Sequence, residues 1–128
     1  MRLLLDTHVV LWSLAQPERI SQRARECMIA AESALFASVV VAWETAIKQS
    51  LGRIELAPDW LAQIEARYAD WRIELLGIAH AHCVRVGMLP FHHRDPFDRM
   101  LIAQAQEEHL SIVSADPAFD AYGIERIW

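Results

Sequence analysis

Lysine is nearly absent from this chain. Lys48 is the only one among 128 residues, and the remaining basic residues are arginines. With a net charge of −5, the composition excludes a broadly basic nucleic-acid-binding module. Any phosphate contact falls mainly to arginine, whose planar fork suits bidentate recognition. Glycine is scarce too, at four residues, so phosphate-cradling loops are hard to build. The G-x-x-x-x-G-K-[ST], G-x-G-x-x-G and G-x-S-x-G patterns are all missing. Cys27 and Cys83 form no C-x-x-C pair, and their spacing to the histidines matches no zinc motif. They read as two small hydrophobes in a reducing compartment. Although 54% of the residues are hydrophobic, no apolar run approaches the ~20 residues that span a bilayer. The opening Met1-Arg2-Leu3-Leu4-Leu5 has the start of a signal peptide, but Asp6 and His8 interrupt it and no small-residue cleavage pattern follows. The expectation is a cytoplasmic protein with no membrane partner, forming one domain over residues 1–128.

Short apolar runs alternate with helical patterns. Leu3-Leu4-Leu5 reads as a buried parallel strand and Thr7 to Ala15 as the helix after it, ending before Gln16-Pro17. Ser21 caps a helix to about Ala31, with Ala24, Cys27, Met28 and Ala31 on its apolar face. Ala34 to Ala37 is a second strand, and Ser38 caps a helix from Val39 to Leu51 that Gly52 ends. Pro58 opens a helix through Tyr68, with Leu61 and Ile64 inward. Glu74 to Gly77 is a short strand candidate, and Ala79 to Gly87 is helical. Asp95-Pro96 starts a helix to about His109, Ser111 to Ser114 is a strand, and Asp116-Pro117 begins one more helical turn. Ile124 to Ile127 is a candidate edge strand. Alternation of this kind predicts a three-layer α/β fold, with a mostly parallel central sheet of four to five strands flanked by helices.

In open sheets of this class ligands bind beyond the carboxyl ends of the strands. Asp6 and Asp116 map there directly, Asp98 lies in the first turn of a helix, and Glu44 lies in the helix after the second strand. Each has an ordinary structural role open to it. Asp6, Asp95 and Asp116 stand at helix N-caps, and Asp98 complements a helix dipole. Glu44 sits among Val40, Val41, Ala42, Trp43 and Ile47, with Lys48 in position for an i,i+4 ion pair. Their conjunction carries the argument. Four acids converging on one crevice without matching bases repel one another and raise each other's pKa, and a hard divalent cation reverses that penalty. Setting these four aside leaves 13 acids against 12 bases, so the acidic balance does not argue against an RNA or DNA substrate.

His80 and His82 point apart on a helix, and His92 and His93 read as loop residues at the crevice mouth without a catalytic role. Trp12, Trp43, Trp60, Trp71 and Trp128 read chiefly as packing residues.

Several segments together resemble a known family. Leu4-Leu5-Asp6-Thr7-His8 looks like the opening of a PIN domain. Ser38-x-x-x-x-Trp43-Glu44, with Ala46-Ile47-Lys48 and Gly52-Arg53-Ile54, fits the same pattern. The most specific segment runs His93-Arg94-Asp95-Pro96-Phe97-Asp98-Arg99-Met100-Leu101-Ile102-Ala103-Gln104-Ala105. Ser114-Ala115-Asp116-Pro117-Ala118-Phe119 and the ending Ile127-Trp128 complete it. In order and spacing, across nearly the whole chain, these resemble the VapC toxins of bacterial type II toxin–antitoxin systems. Ser114 stands where a threonine is more usual.

The resemblance implies a PIN-fold ribonuclease dependent on Mg²⁺ or Mn²⁺, leaving 5′-phosphate and 3′-hydroxyl ends. It carries the catalytic and metal-binding acids onto Asp6, Glu44, Asp98 and Asp116, with Asp6 and Asp98 the first choice as direct ligands. Asp98 is preferred to Asp95 because it keeps the family's spacing to the following Ile-Ala-x-Ala stretch. Thr7, Ser38, Asp95 and Ser114 become auxiliary residues, and Arg53, Arg94 and Arg99 become candidates for phosphate contacts. The expected partners are an RNA substrate, a cognate antitoxin and a second copy in a homodimer. An alternative from another class is a catalytically silent PIN-fold binding module whose acidic pocket holds a partner protein. A D-x-D phosphatase is disfavoured because His8 stands where its second acid belongs.

Overall fold

Five strands form one sheet in the order β3-β2-β1-β4-β5, and every pairing is parallel. The computed structural model describes all residues, 1–128. The strands are β1 (Arg2–Leu5), β2 (Ala34–Ser38), β3 (Ile73–Leu76), β4 (Ser111–Val113) and β5 (Arg126–Ile127). The helices are α1 (Thr7–Ala15), α2 (Gln22–Ile29), α3 (Val40–Ser50), α4 (Trp60–Trp71), α5 (His80–Met88) and α6 (Pro96–Glu107). Short 3₁₀ turns cover Pro17–Arg19 and Pro117–Tyr122. No helix is long and apolar enough to cross a membrane. The expected α/β architecture is therefore present, with β5 at the sheet edge.

The continuous apolar run of β1 has a direct cause. Successive strand side chains point to opposite faces, and both faces of this sheet are covered. Leu3 and Leu5 enter a core with Val9, Val10, Ala24 and Ile64. Leu4 enters a second core with Leu101, Ile102, Ile112 and Phe119. Polar side chains at helix starts end the strands sharply. Asp6 caps α1 by accepting from His8 N at 3.1 Å, and Ser21 caps α2 by accepting from Ala24 N. Ser38 Oγ accepts from Val40 N, turning β2 directly into α3.

Several local expectations shift. α6 ends at Glu107 rather than about His109, and β5 covers only Arg126–Ile127 of the expected Ile124 to Ile127. α2 stops at Ile29 rather than Ala31, and Ala31 is exposed. α4 starts two residues beyond Pro58 and runs to Trp71, with Ile64 buried but Leu61 half-exposed. β3 begins at Ile73, one residue early, because Arg72 takes the left-handed conformation (φ 54°) and ends α4 immediately before it. A left-handed C-cap both satisfies the last helical carbonyls and redirects the chain.

α3 occupies the position that matters most. Val40 packs into the second core and Val41 into the first. The helix touches α1 on one side and α6 on the other. It therefore crosses the carboxyl edge of the sheet instead of lying on one face. Four residues past Val40, Glu44 is carried over that edge.

Candidate metal centre

The strand order reverses at β1: the chain steps outward through β2 and β3, then returns to place β4 on the other flank of β1. This is a topological switch point, where side chains beyond the strand ends open into a crevice. Asp6 follows β1, its N–H donating to Val113 O at 3.1 Å. Ser114 follows β4, and Asp116 comes two residues later. Ser114 Oγ donates to Asp6 Oδ2 at 2.5 Å across the switch point and accepts from Asp116 N at 3.0 Å. One hydroxyl thus ties the two strand ends, and their acids, together.

The acids are graded in depth. Asp6 (4% exposed) and Glu44 (2%) are buried, the Asp98 side chain is 18% exposed, and that of Asp116 is 46% exposed at the mouth. Thr7 Oγ1 donates to Glu44 Oε1 at 2.8 Å, coupling α1 to α3. Asp95 caps α6 by accepting from Phe97 N and Asp98 N. That bond fixes the first turn from which Asp98 projects. Asp116 caps its own 3₁₀ turn through Ala118 N. Capping and membership of the acid cluster coexist in the same residues.

The crevice is not free of bases. Lys48 Nζ lies 2.5 Å from Glu44 Oε2, so the i,i+4 pair open to Glu44 forms. His93 Nε2 lies 2.9 Å from Asp98 Oδ2 and 3.9 Å from Asp116 Oδ2. His93 therefore stands inside the acid group; its place at the crevice follows from the sequence, but its contact with Asp98 does not. No local signal marks this contact, because the His93 backbone is held by Tyr122 and Arg99 from other elements. His93, Asp98 and Asp116 each offer a ligand atom within 4.8 Å of one another, a set that does not include Asp6.

The charges are strained. Burial is the largest cause pushing Asp98 up to about 8, and Asp6, Asp95, Glu44 and Asp116 push in the same direction. Burial also raises Asp6, against the opposing Ser114 hydrogen bond, the His8 charge and the His8 amide, with Glu44 adding to the rise. Burial works to lower the Lys48 pKa, but the Glu44 hydrogen bond and the charges of Glu44, Asp95 and Asp98 outweigh it, and the net shift is upward. Carboxylates gathered at this density, with Lys48 and the His93 ring beside them, form an oxygen-rich donor set. Hard divalent cations prefer such a set, so these residues fit Mg²⁺ or Mn²⁺.

The arginines separate. Arg53 and Arg94 are exposed. Arg99 is buried, and its guanidinium donates to the carbonyls of Pro90, His93, Val86 and Leu89. Its donors are engaged by backbone, so Arg99 is a structural clamp and not a phosphate ligand. Ser38 is fully buried, and its hydroxyl accepts from Val40 N. It shapes the β2–α3 turn.

A five-stranded parallel α/β sheet gathers these acids at its switch point. The PIN domain model matches residues 3–125. The chain belongs to the PIN domain family. No protein of curated function shows significant sequence similarity to it. Among solved structures, it is similar to a chain of VapBC2 from Rickettsia felis bound to a promoter DNA fragment, with a TM-score of 0.73, 12% identity and full coverage of both chains. DNA-bound VapBC from Salmonella typhimurium gives a TM-score of 0.70 at 19% identity, covering 98% of this chain and 96% of that one. VapBC-5 of Mycobacterium tuberculosis, a toxin–antitoxin system, gives 0.61 at 22% identity, covering 98% and 97%.

Proposed function

We propose that the protein is a metal-dependent endoribonuclease, the toxin of a VapBC-type system, held inactive by a cognate antitoxin. The observation that carries this is the acid cluster at the switch point, with Asp6 and Glu44 buried and Asp98 and Asp116 towards the mouth; burial and acidic neighbours push Asp98 up to about 8. A fold has no structural need for such repulsion, and a cation relieves it. The PIN membership and the VapBC neighbours in fold point in the same direction.

Held by carboxylates of this cluster, Mg²⁺ or Mn²⁺ would supply Lewis-acid polarisation of a phosphate oxygen and would make a nearby water more acidic. The protein's own part is positional. Asp6, fixed by Ser114 and by the His8 amide, and Asp98, projecting from the capped turn of α6, present oxygens to the crevice. Glu44, oriented by Thr7, deepens the negative potential, and Asp116 closes the mouth. Arg53 and Arg94 supply the exposed positive charge for the RNA backbone. Antitoxin and homodimer contacts both need apolar surface. α3 exposes Trp43 and Ile47, with Leu51 just beyond its end, at four-residue spacing. We assign the protein to the cytoplasm with its RNA substrate.

The test is cleavage of a structured RNA by the purified chain with Mg²⁺. Asp6→Asn is expected to abolish cleavage while leaving the circular-dichroism spectrum intact. Full activity in that variant, or in excess EDTA, would refute the metal-dependent assignment, whereas no cleavage by the wild type with Mg²⁺ would leave the silent binding module as the better account.

A further inference from the structure

The loop from Leu89 to Asp95 is held with unusual care. Arg99, reaching back from α6, donates to the carbonyls of Leu89, Pro90 and His93, and also to that of Val86 in α5. Tyr122 Oη donates to Pro90 O at 2.9 Å and accepts from His93 N at 2.7 Å. Two side chains from different elements therefore fix the backbone on both sides of one residue, His93. Its ring is fixed as well. Asp95 N–H donates to His93 Nδ1 at 3.2 Å, and Nε2 lies 2.9 Å from Asp98 Oδ2.

These contacts decide which ring nitrogen carries hydrogen. An amide N–H aimed at Nδ1 requires a lone pair there; a proton on Nδ1 would set two donors face to face. Nε2 then carries the hydrogen and donates to the carboxylate. The same arrangement argues against His93 as a direct nitrogen ligand, since ligation through Nε2 would move the hydrogen to Nδ1, against the Asp95 amide.

We propose that His93 is a positioning residue of the acid pocket: the loop clamped by Arg99 and Tyr122 aims its Nε2–H at Asp98 Oδ2, fixing the rotation of that carboxylate for a divalent cation. This rests on the metal-site assignment made above. It gives the Arg99 clamp a functional purpose, because the clamp holds the loop that holds His93. Groups that orient a ligating carboxylate in this way commonly change metal affinity by ~10–100-fold when removed.

The test has two arms, chosen so that the two claims fail separately. In the first, long-range ¹H–¹⁵N correlation spectra of the metal-free wild-type protein report the His93 ring, assigned by its loss in His93→Gln. The Nε2–H tautomer is expected; hydrogen on Nδ1 overturns the proposal whether or not metal binds. In the second, Mn²⁺ binding is titrated by electron paramagnetic resonance. His93→Ala is expected to weaken it by roughly ten-fold, and His93→Gln, which keeps a donor near the Nε2 position, to recover most of the loss. Spin-echo modulation of the wild-type Mn²⁺ complex is expected to show no directly bonded nitrogen. Unchanged affinity in His93→Ala, no rescue by glutamine, or a directly bonded ¹⁴N overturns the positioning role. Absence of Mn²⁺ binding by the wild type overturns the metal-site assignment instead, and with it the purpose given to His93, while the tautomer arm still decides the geometry.

Discussion

Replacing Asp98 by asparagine should make the metal-free protein more stable, and by an amount that depends on pH. The folded-state pKa of Asp98 is raised from 3.8 to about 8, chiefly by burial and then by Asp6, Asp95, Glu44 and Asp116. A raised pKa means that the folded state holds a proton which the unfolded chain releases. The stability tied to that proton is fully present below pH ~4 and is lost progressively until the pH passes ~8. Four units at ~1.4 kcal/mol each set a ceiling of ~6 kcal/mol. Partial exposure and sharing of the proton among the acids reduce this to ~2–3 kcal/mol. Asparagine carries no charge and still offers His93 an acceptor. Urea unfolding in EDTA should therefore show Asp98→Asn gaining ~2 kcal/mol over wild type at pH 8, with the difference shrinking towards zero at pH 4. Added Mg²⁺ should stabilise wild type and do less for the variant. A variant equal to or weaker than wild type at pH 8 without metal would refute the claim that the pocket is electrostatically strained.

Three further outcomes follow from the same geometry. Lys48→Met leaves the buried Glu44 carboxylate without its partner and should cost ~2 kcal/mol in EDTA by urea unfolding, less than a fully buried pair because Lys48 is partly exposed; Mg²⁺ should restore part of the loss. Arg99→Met strips donors from four carbonyls and should cost ~3 kcal/mol, while the salt dependence of RNA binding by a catalytically inactive background stays unchanged; a changed slope without lost stability would return Arg99 to the phosphate-contact role. Arg53→Ala and Arg94→Ala should each lower the slope of log affinity against log salt by about one, with unfolding midpoints within error of wild type.

Much of the fold was legible because its signals are local. Two-faced burial makes a parallel strand a continuous apolar run, and Leu3-Leu4-Leu5 shows it plainly. The capping side chains Asp6, Ser21, Asp95 and Asp116 mark helix starts chemically, and each accepts the expected amide hydrogen bond. Boundaries slipped where backbone conformation, not composition, set them, as at the left-handed Arg72 before β3. Within the site, spacing leads to the four acids, but burial and tertiary direction determine what surrounds them. Nothing local to Arg99 distinguishes an arginine facing RNA from one clamping carbonyls. Lys48 is legible through its i,i+4 spacing to Glu44, and the pair forms. Nothing local to His93 marks its contact with Asp98, because that contact depends on a loop pinned by Tyr122 and Arg99 from elsewhere in the chain.

Whether the acid pocket binds a divalent metal can be seen in a crystal. Crystals soaked in Mn²⁺ and measured at an anomalous wavelength test it most directly. An anomalous peak is expected in the crevice, bonded to a carboxylate oxygen of Asp98, with Asp6, Glu44 or Asp116 around it and no bond to His93. A soaked crystal with no peak among these acids, or with manganese bound only elsewhere on the surface, would contradict the metal-site assignment.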